Sequence, residues 1–254
     1  MTNAEIRQLA LEQSARDAGC APEDFLAAGN VLCEAPVAAG ISAYIKTPVA
    51  CRLVSYGANV VASCEPQLQD AVARYLAGLK QPYYAFETPQ VYQLNELLAA
   101  HGMQARYQAE FFLPDVNAVF SSTPDCAYEL RILDQADFGE LYLPEWSNAL
   151  CKERPQLDVL GVGAYDGEKL VGFAGCSADC ARMWQIGIDV LPAYRGQRLA
   201  PALTNRLARE VFARDMVPFY CAAWSNVRSV RNALASGFRP AWVELSARPI
   251  GEED

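Results

Sequence analysis

The chain of 254 residues has one histidine, His101, and no Cys-x-x-Cys pair. A metal centre built on imidazoles or paired thiols therefore lacks its ligands, and Cys176 with Cys180 does not make a zinc signature. No apolar run reaches the roughly eighteen residues of a membrane-spanning helix, and the opening MTNAEIRQLALEQSARD has no apolar signal core. The chain is thus expected to be soluble and cytoplasmic, with no membrane partner. Basic residues are outnumbered, 21 against 30 acids, for a net charge of −9. That balance argues against nonspecific binding to nucleic acid or anionic lipid. It would suit a cationic amine substrate, although many cytosolic proteins are simply acidic. Neither G-x-x-x-x-G-K-S/T nor G-x-G-x-x-G occurs, which counts against a nucleotide-binding α/β domain. The nine cysteines are an odd number without a secretory signal, and read as reduced thiols serving as small buried hydrophobes.

What the chain has is apolar content, 52%, enough for one large core or two modest ones, with two the better expectation. Its best-organised stretch is 184–211, WQIGIDVLPAYRGQRLAPALTNRLAREV. Ile186, Ile188 and Val190 alternate with Gln185, Gly187 and Asp189, the period of a strand over 184–190. Pro192 ends the ladder because it has no N–H to donate. Leu199, Leu203, Leu207 and Val211 then recur at helical spacing, with Pro201 tolerated in the first turn. Between strand and helix lie Arg195, Gly196, Gln197 and Arg198. Main-chain amides at a helix N-terminus beside two guanidinium groups suit a pyrophosphate. A bland basic connection is the alternative.

This stretch resembles the acyl-CoA pyrophosphate loop of the GNAT superfamily of N-acyltransferases, V-x-P-x-x-R-x-x-G-x-G/A before an amphipathic helix. Val190, Pro192, Arg195 and Ala200 stand in register, with Arg198 where the first of the two glycines is usual. A second block fits the same family: a short strand over 217–223, a helix running from Asn226 to Ser236, then Gly237 as its stop and Phe238 opening a strand to 245. Asn226, Ser229, Gly237 and Phe238 match its N-x-x-S/A, helix, G-F pattern, although Asn226 alone equally reads as a helix N-cap. The resemblance implies an α/β (α+β) fold, a mixed central sheet flanked by helices, with β-α-α-β-β-β-α-β-α-β order in the later half.

The earlier half follows the same logic more loosely. Helices are expected over 3–18 and from Pro22, and strands over 51–56 and 60–64, with breaks at Pro36, Pro48 and Gly57-Ala58-Asn59. Helix 66–79, strand 83–86, helix 89–101, Gly102 and strand 103–113 then repeat the order found over 199–245. This reads as two GNAT-like units, a degenerate one over 1–120 and an acetyltransferase domain over 121–254, divided near 114–124. Glu65 precedes the first unit's helix where the second has arginines, so that unit is not expected to bind CoA. The second opens with a strand over 127–133, then helices 134–141 and 144–151, and a hairpin turning at Asp166-Gly167.

What the resemblance implies chemically is transfer of an acetyl group from acetyl-CoA to a primary amine by direct attack, without metal. Arg195 and Arg198 would pair with the phosphates, while Gly196, Gln197, Leu199 and Ala200 would donate amides. Asn226 and Ser229 would border the pantetheine, and the backbone of Ile188, Asp189 and Val190 would align it. The tyrosine that commonly protonates the leaving thiolate stands four residues before the Gly of G-F, where this chain has Ala233. Glu145 and Asp189 are the candidate bases. Glu145 beside Trp146 equally reads as a surface acid, and Tyr142, Trp146 and Trp184 are candidate acceptor-site walls or core aromatics. Cys221 is the one thiol expected near the thioester. The acceptor would be a small-molecule amine or a peptide N-terminus or lysine. A non-catalytic acyl-CoA or small-ligand binding module is the rival reading, and oligomeric state is left open.

Overall fold

The computed structural model describes residues 1–36, 40–45, 50–121 and 124–252. Pro48 and residues 122–123 of the expected boundary lie outside these. Among the described residues the α-helices are α1 (Asn3–Ala18), α2 (Gln69–Gly78), α3 (Thr88–Ala99), α4 (Val116–Ser121), α5 (Leu199–Phe212) and α6 (Val227–Ala235). The strands are β1 (Val31–Glu34), β2 (Cys51–Ser55), β3 (Val61–Cys64), β4 (Met103–Pro114), β5 (Glu129–Asp134), β6 (Asp158–Asp166), β7 (Lys169–Ser177), β8 (Met183–Val190), β9 (Val217–Ala222) and β10 (Phe238–Pro249). The fold is mixed α/β. The chain divides into two compact units, each made of two stretches: Met1–Arg7 with Phe112–Pro240, and Gln8–Phe111 with Ala241–Asp254.

In the smaller unit, β1 runs parallel to β3, β3 antiparallel to β2, and β2 antiparallel to Val243–Ala247 of β10. Leu68, Val72 and Leu76 join Leu94 and Leu98 of α3 in one apolar cluster with Cys51, Leu53 and Ala62 of the strands. Also within this unit, Arg52 and Glu244 form a buried ion pair across β2 and β10, and Trp242 Nε1 donates to Glu244 at 2.7 Å. The strand expected over 83–86 is a 3-10 helix, Pro82–Phe86. Pro82 sets its first φ, Tyr84 N donates back to Gln81 O at 3.2 Å, and the segment closes on itself. The expected repeat therefore lacks one strand in the earlier half.

In the larger unit, β5, β6, β7 and β8 form an antiparallel run, and β9 lies parallel to β8 after the α5 crossover. The stripe Leu199, Leu203, Leu207 and Val211 is buried as expected, against Leu160, Val162, Ala174 and Ile186. The two helices expected before β6 are 3-10 turns instead: Gln135–Asp137, Gly139–Leu141 and Pro144–Trp146. Gly139 and Pro144 leave too short a run for an α-helix to propagate. Conversely, the expected boundary region contains α4, whose first turn is capped by Asp115 Oδ1 accepting from Asn117 N at 3.0 Å.

Gly161, Gly175 and Gly187 stand in one register row across β6, β7 and β8. A Cβ on Gly187 would collide with the Asn148 carbonyl oxygen, and one on Gly175 with that of Ala149. The row is a trough in which the backbone of 148–149 lies directly on the sheet. Gly187→Ala is expected to lower unfolding free energy by about 2–3 kcal/mol, since backbone must shift to admit the methyl. Gly139→Ala, whose Cβ meets nothing within 4 Å, should change it by no more than about 0.5 kcal/mol. Urea denaturation of both variants checks the contrast.

Candidate functional site

The parallel pairing of β8 with β9 runs from Met183–Val217 to Ile186–Tyr220 and stops there. On its other side β8 stays paired with β7 as far as Val190. Residues Gly187 to Val190 are thus held in strand conformation from one side only, and among the described residues no strand pairs with the opposite main-chain edge, which is open for β-like hydrogen bonding. Ile188 and Val190 pack on the α5 face. Of the open edge's carbonyls, that of Val190 accepts from Arg195 Nε at 3.0 Å, which ties the following loop to the strand end.

That loop carries the expected phosphate-binding group. A 3-10 turn, Pro192–Tyr194, leads into Arg195, Gly196, Gln197 and Arg198, all four exposed. Gly196 and Arg198 both adopt left-handed backbone, φ 81° and 60°. Such residues turn consecutive N–H groups toward one side, the geometry of an anion nest. At Arg198 this conformation explains why glycine is usual there: a Cβ in the left-handed region costs of order 1 kcal/mol. Arg198 is also the N-cap residue of α5 and gives it no side-chain cap. The N–H groups of Leu199 and Ala200 in the first turn lack intrahelical acceptors, and the helix dipole points its positive end at the loop. Tyr128 Oη donates to Gln197 Oε1 at 2.7 Å and Tyr194 Oη to Asp166 Oδ2 at 3.0 Å, while Lys169 Nζ lies 5.5 Å from the Tyr194 ring centre.

On the opposite face of β8, the Asp189 carboxylate accepts from Asn148 N at 2.8 Å, Ala149 N at 3.0 Å and Asn148 Nδ2 at 2.6 Å. These bonds hold the 148–149 backbone over the glycine row. Glu145 is exposed and makes no hydrogen bond or ion pair among the described residues. Trp146 is buried edge-on against Phe173, a core aromatic rather than a wall. Trp184 packs against the α5-side core. The Tyr142 hydroxyl lies 3.2 Å from Asp158 Oδ2, and burial beside that carboxylate pushes the phenol up to about 12. Burial also raises the Asp158 carboxyl, whose Oδ2 accepts from Cys151 N at 2.9 Å.

Asn226 serves as the α6 N-cap, its Oδ1 accepting from Ser229 N at 3.2 Å. Its exposed amide nitrogen is the part a ligand could use. Ser229 Oγ sits 2.7 Å from Tyr220 Oη. Tyr220 occupies the last paired row of β9, its ring against Phe112 and Phe238, and burial raises its phenol. Ala233 is fully buried. Cys221, next along β9, accepts from Gln185 Nε2 at 3.1 Å. The structure therefore gathers Ile188, Asp189 and Val190 with the 195–200 loop around one strand end, and pairs Ser229 with a strand tyrosine at the row where the strands part. Sequence reasoning missed Asn148, Gln185 and Tyr220. Only the glycines at alternate strand positions hinted at the first.

No curated protein matches the chain. Solved structures do, at low identity. A GNAT-family protein from Novosphingobium aromaticivorans is 20% identical over 57% of this chain and 66% of its own, TM-score 0.42. A GCN5-related N-acetyltransferase-like protein from Streptococcus suis is 19% identical over 63% and 69%, TM-score 0.46. A GCN5-related N-acetyltransferase from Kribbella flavida is 13% identical over 62% and 63%, TM-score 0.49. The chain spans about two thirds of the length of these solved chains. The sequence pattern described as GNAT acetyltransferase matches residues 74–241, a wider span than the motif blocks alone. More than half of the residues fall within that pattern, including β8, its following loop and α6, and the chain belongs to the GNAT acetyltransferase family.

Proposed function

We propose that this protein transfers an acetyl group from acetyl-CoA to a primary amine by direct attack. The working elements lie within 121–254, and the region 1–120 is a degenerate GNAT-like unit that does not bind CoA. The observation that carries the reading is the open edge of β8 leading into a loop with two left-handed residues and two exposed arginines. Arg195 and Arg198 pair with the diphosphate, and the amides of Gly196, Gln197, Leu199 and Ala200 donate to it. The main chain of Ile188, Asp189 and Val190 aligns the pantetheine arm, which Asn226 and Ser229 border. An amide on the β8 edge steadies the oxyanion as the amine nitrogen bonds to the thioester carbon. The C–S bond then breaks, and the sulfur takes a proton.

For that proton, the Tyr220 hydroxyl replaces the tyrosine that Ala233 does not supply, with Ser229 orienting it. Glu145, exposed, takes the amine proton directly or through water. The three donors on Asp189 suit a residue that positions the 148–149 segment, with its charge still available to attract the amine. The acceptor is a small-molecule amine, or a peptide N-terminus or lysine, and the cytoplasm is the expected compartment. One observation favours a non-catalytic acyl-CoA binding module: Ala233 is packed in the core, where no acid can act. Thiol release from acetyl-CoA with a panel of amines, amino acids and aminoglycosides separates the readings. Binding with no turnover on any acceptor would favour the module.

Arg195→Glu is expected to weaken acetyl-CoA binding by about 2 kcal/mol, roughly thirtyfold in Kd, with an unchanged circular dichroism spectrum. Calorimetry showing unaltered affinity would reject the phosphate role. Tyr220→Phe should lower kcat by about 10²-fold with the KM for acetyl-CoA little changed, since general acids typically contribute on that scale. A kcat within twofold of the parent would remove Tyr220 from the reaction.

A further inference from the structure

The smaller unit holds four of the nine cysteines, Cys20, Cys33, Cys51 and Cys64, all reduced. They form two pairs of very different access. Cys51 and Cys64 face one another across β2 and β3. Glu65 N donates to Ala50 O at 3.0 Å, so the adjacent Ala50–Glu65 row is hydrogen-bonded and the cysteine row is not. In such rows the Cα atoms approach to about 4.5 Å. Both residues are fully buried in the apolar cluster, which bars reagents from this pair.

Cys20 and Cys33 are each partly exposed. Cys20 follows Gly19, where α1 ends in left-handed backbone, φ 73°. A Cβ on Gly19 would lie 3.0 Å from Glu34 O and 3.4 Å from Pro36 Cδ, so the α1 exit runs directly against the end of β1. That contact sets the Cys20 thiol beside that of Cys33, near enough for each to bias the other's ionisation. Their proximity favours the thiolate at Cys33 and disfavours it at Cys20. Asp24 opposes ionisation of both thiols and Arg52 favours it at Cys20. One sulfur is thus prepared to attack while its neighbour waits within reach, the arrangement of a nucleophilic and a resolving cysteine.

We propose that Cys20 and Cys33 are a redox modification site, which a low-molecular-weight disulfide converts to an intramolecular disulfide joining the α1 exit to β1. With glutathione disulfide, the Cys33 thiolate attacks one sulfur, forming a protein–glutathione bond and expelling glutathione thiolate. Cys20 then loses its proton and attacks the Cys33 sulfur, forming the protein disulfide and expelling a second glutathione thiolate. The two protons released from the protein thiols end on the two glutathione thiols. Two protein thiols are oxidised and one disulfide is reduced.

The test uses the full chain, incubated with glutathione disulfide, alkylated, and digested without reduction. With the alkylation done in denaturant, trypsin leaves both cysteines in the peptide spanning 17–46, which should lose two hydrogens and carry no alkyl group, while the other seven cysteines are alkylated. Cleavage after Glu23 should leave its two halves joined. Oxidation should raise Tm by about 5–10 °C, reversibly with dithiothreitol. Cys20→Ser should trap glutathione on Cys33, and Cys33→Ser should stay unmodified at Cys20. Alkylation of Cys20 and Cys33 after oxidant treatment would overturn the proposal, as would a bridge formed only between Cys51 and Cys64. Equal glutathione uptake by Cys20 in the Cys33→Ser protein would overturn the assigned roles.

Discussion

Two parallel strands that pair for four rows and then part create the conditions for everything at the candidate site. Had β9 followed β8 to Val190, the main-chain groups from Gly187 onward would be consumed by the sheet. Because it does not, β8 is an interior strand at its start and an edge at its end. Edges in sheets are usually hidden or charged. Here the edge is kept straight by β7 on one side and by the Asp189 contacts from the face, so it can remain unpaired without collapsing. The loop that follows is anchored to the same strand end through Arg195 and Val190. Strand edge and basic loop are therefore tied together rather than placed independently.

The larger unit's face opposite α5 is organised by smallness. Side chains are removed in a row so that backbone can approach backbone, and Phe173 fills part of the space over Gly161. Polar groups there are answered locally: buried Asp158 by Cys151 N and Tyr142, and half-buried Asp189 by the 148–149 segment. The smaller unit solves the same problem differently, with a guanidinium and carboxylate buried together and an indole N–H added to the carboxylate. Such a pair contributes little net stability but is costly to break by removing one member. It fixes which strands pair more than it strengthens the pairing.

Much of this was legible in the residues. The 184–211 stretch announced strand, loop and helix because alternation, a proline stop and a four-residue apolar stripe agree at every level. The helix after Asn226 and the stop at Gly237 were equally plain, for both rest on local chemistry. What sequence hid was non-local. Residues 83–86 carry strand-forming tyrosines, yet Pro82 closes them into a turn that offers no ladder. The segments 134–141 and 144–151 look helical in composition, yet are too interrupted to nucleate. Asp189 reads as a candidate base in the sequence because Asn148, forty-one residues earlier, gives no sign that it arrives beside it. Arg198 reads as a simple departure from pattern, and only backbone geometry shows that the left-handed conformation survives the loss of glycine.

The pairing of β2 with β10 carries a consequence for how the protein is made. Residues 51–55 meet their partners at 243–247, so during synthesis β2 emerges from the ribosome long before its neighbour exists. Until then its buried, apolar row is a bare rim that another nascent chain could capture. The sheet of the smaller unit is completed only once residues 243–247 have been made.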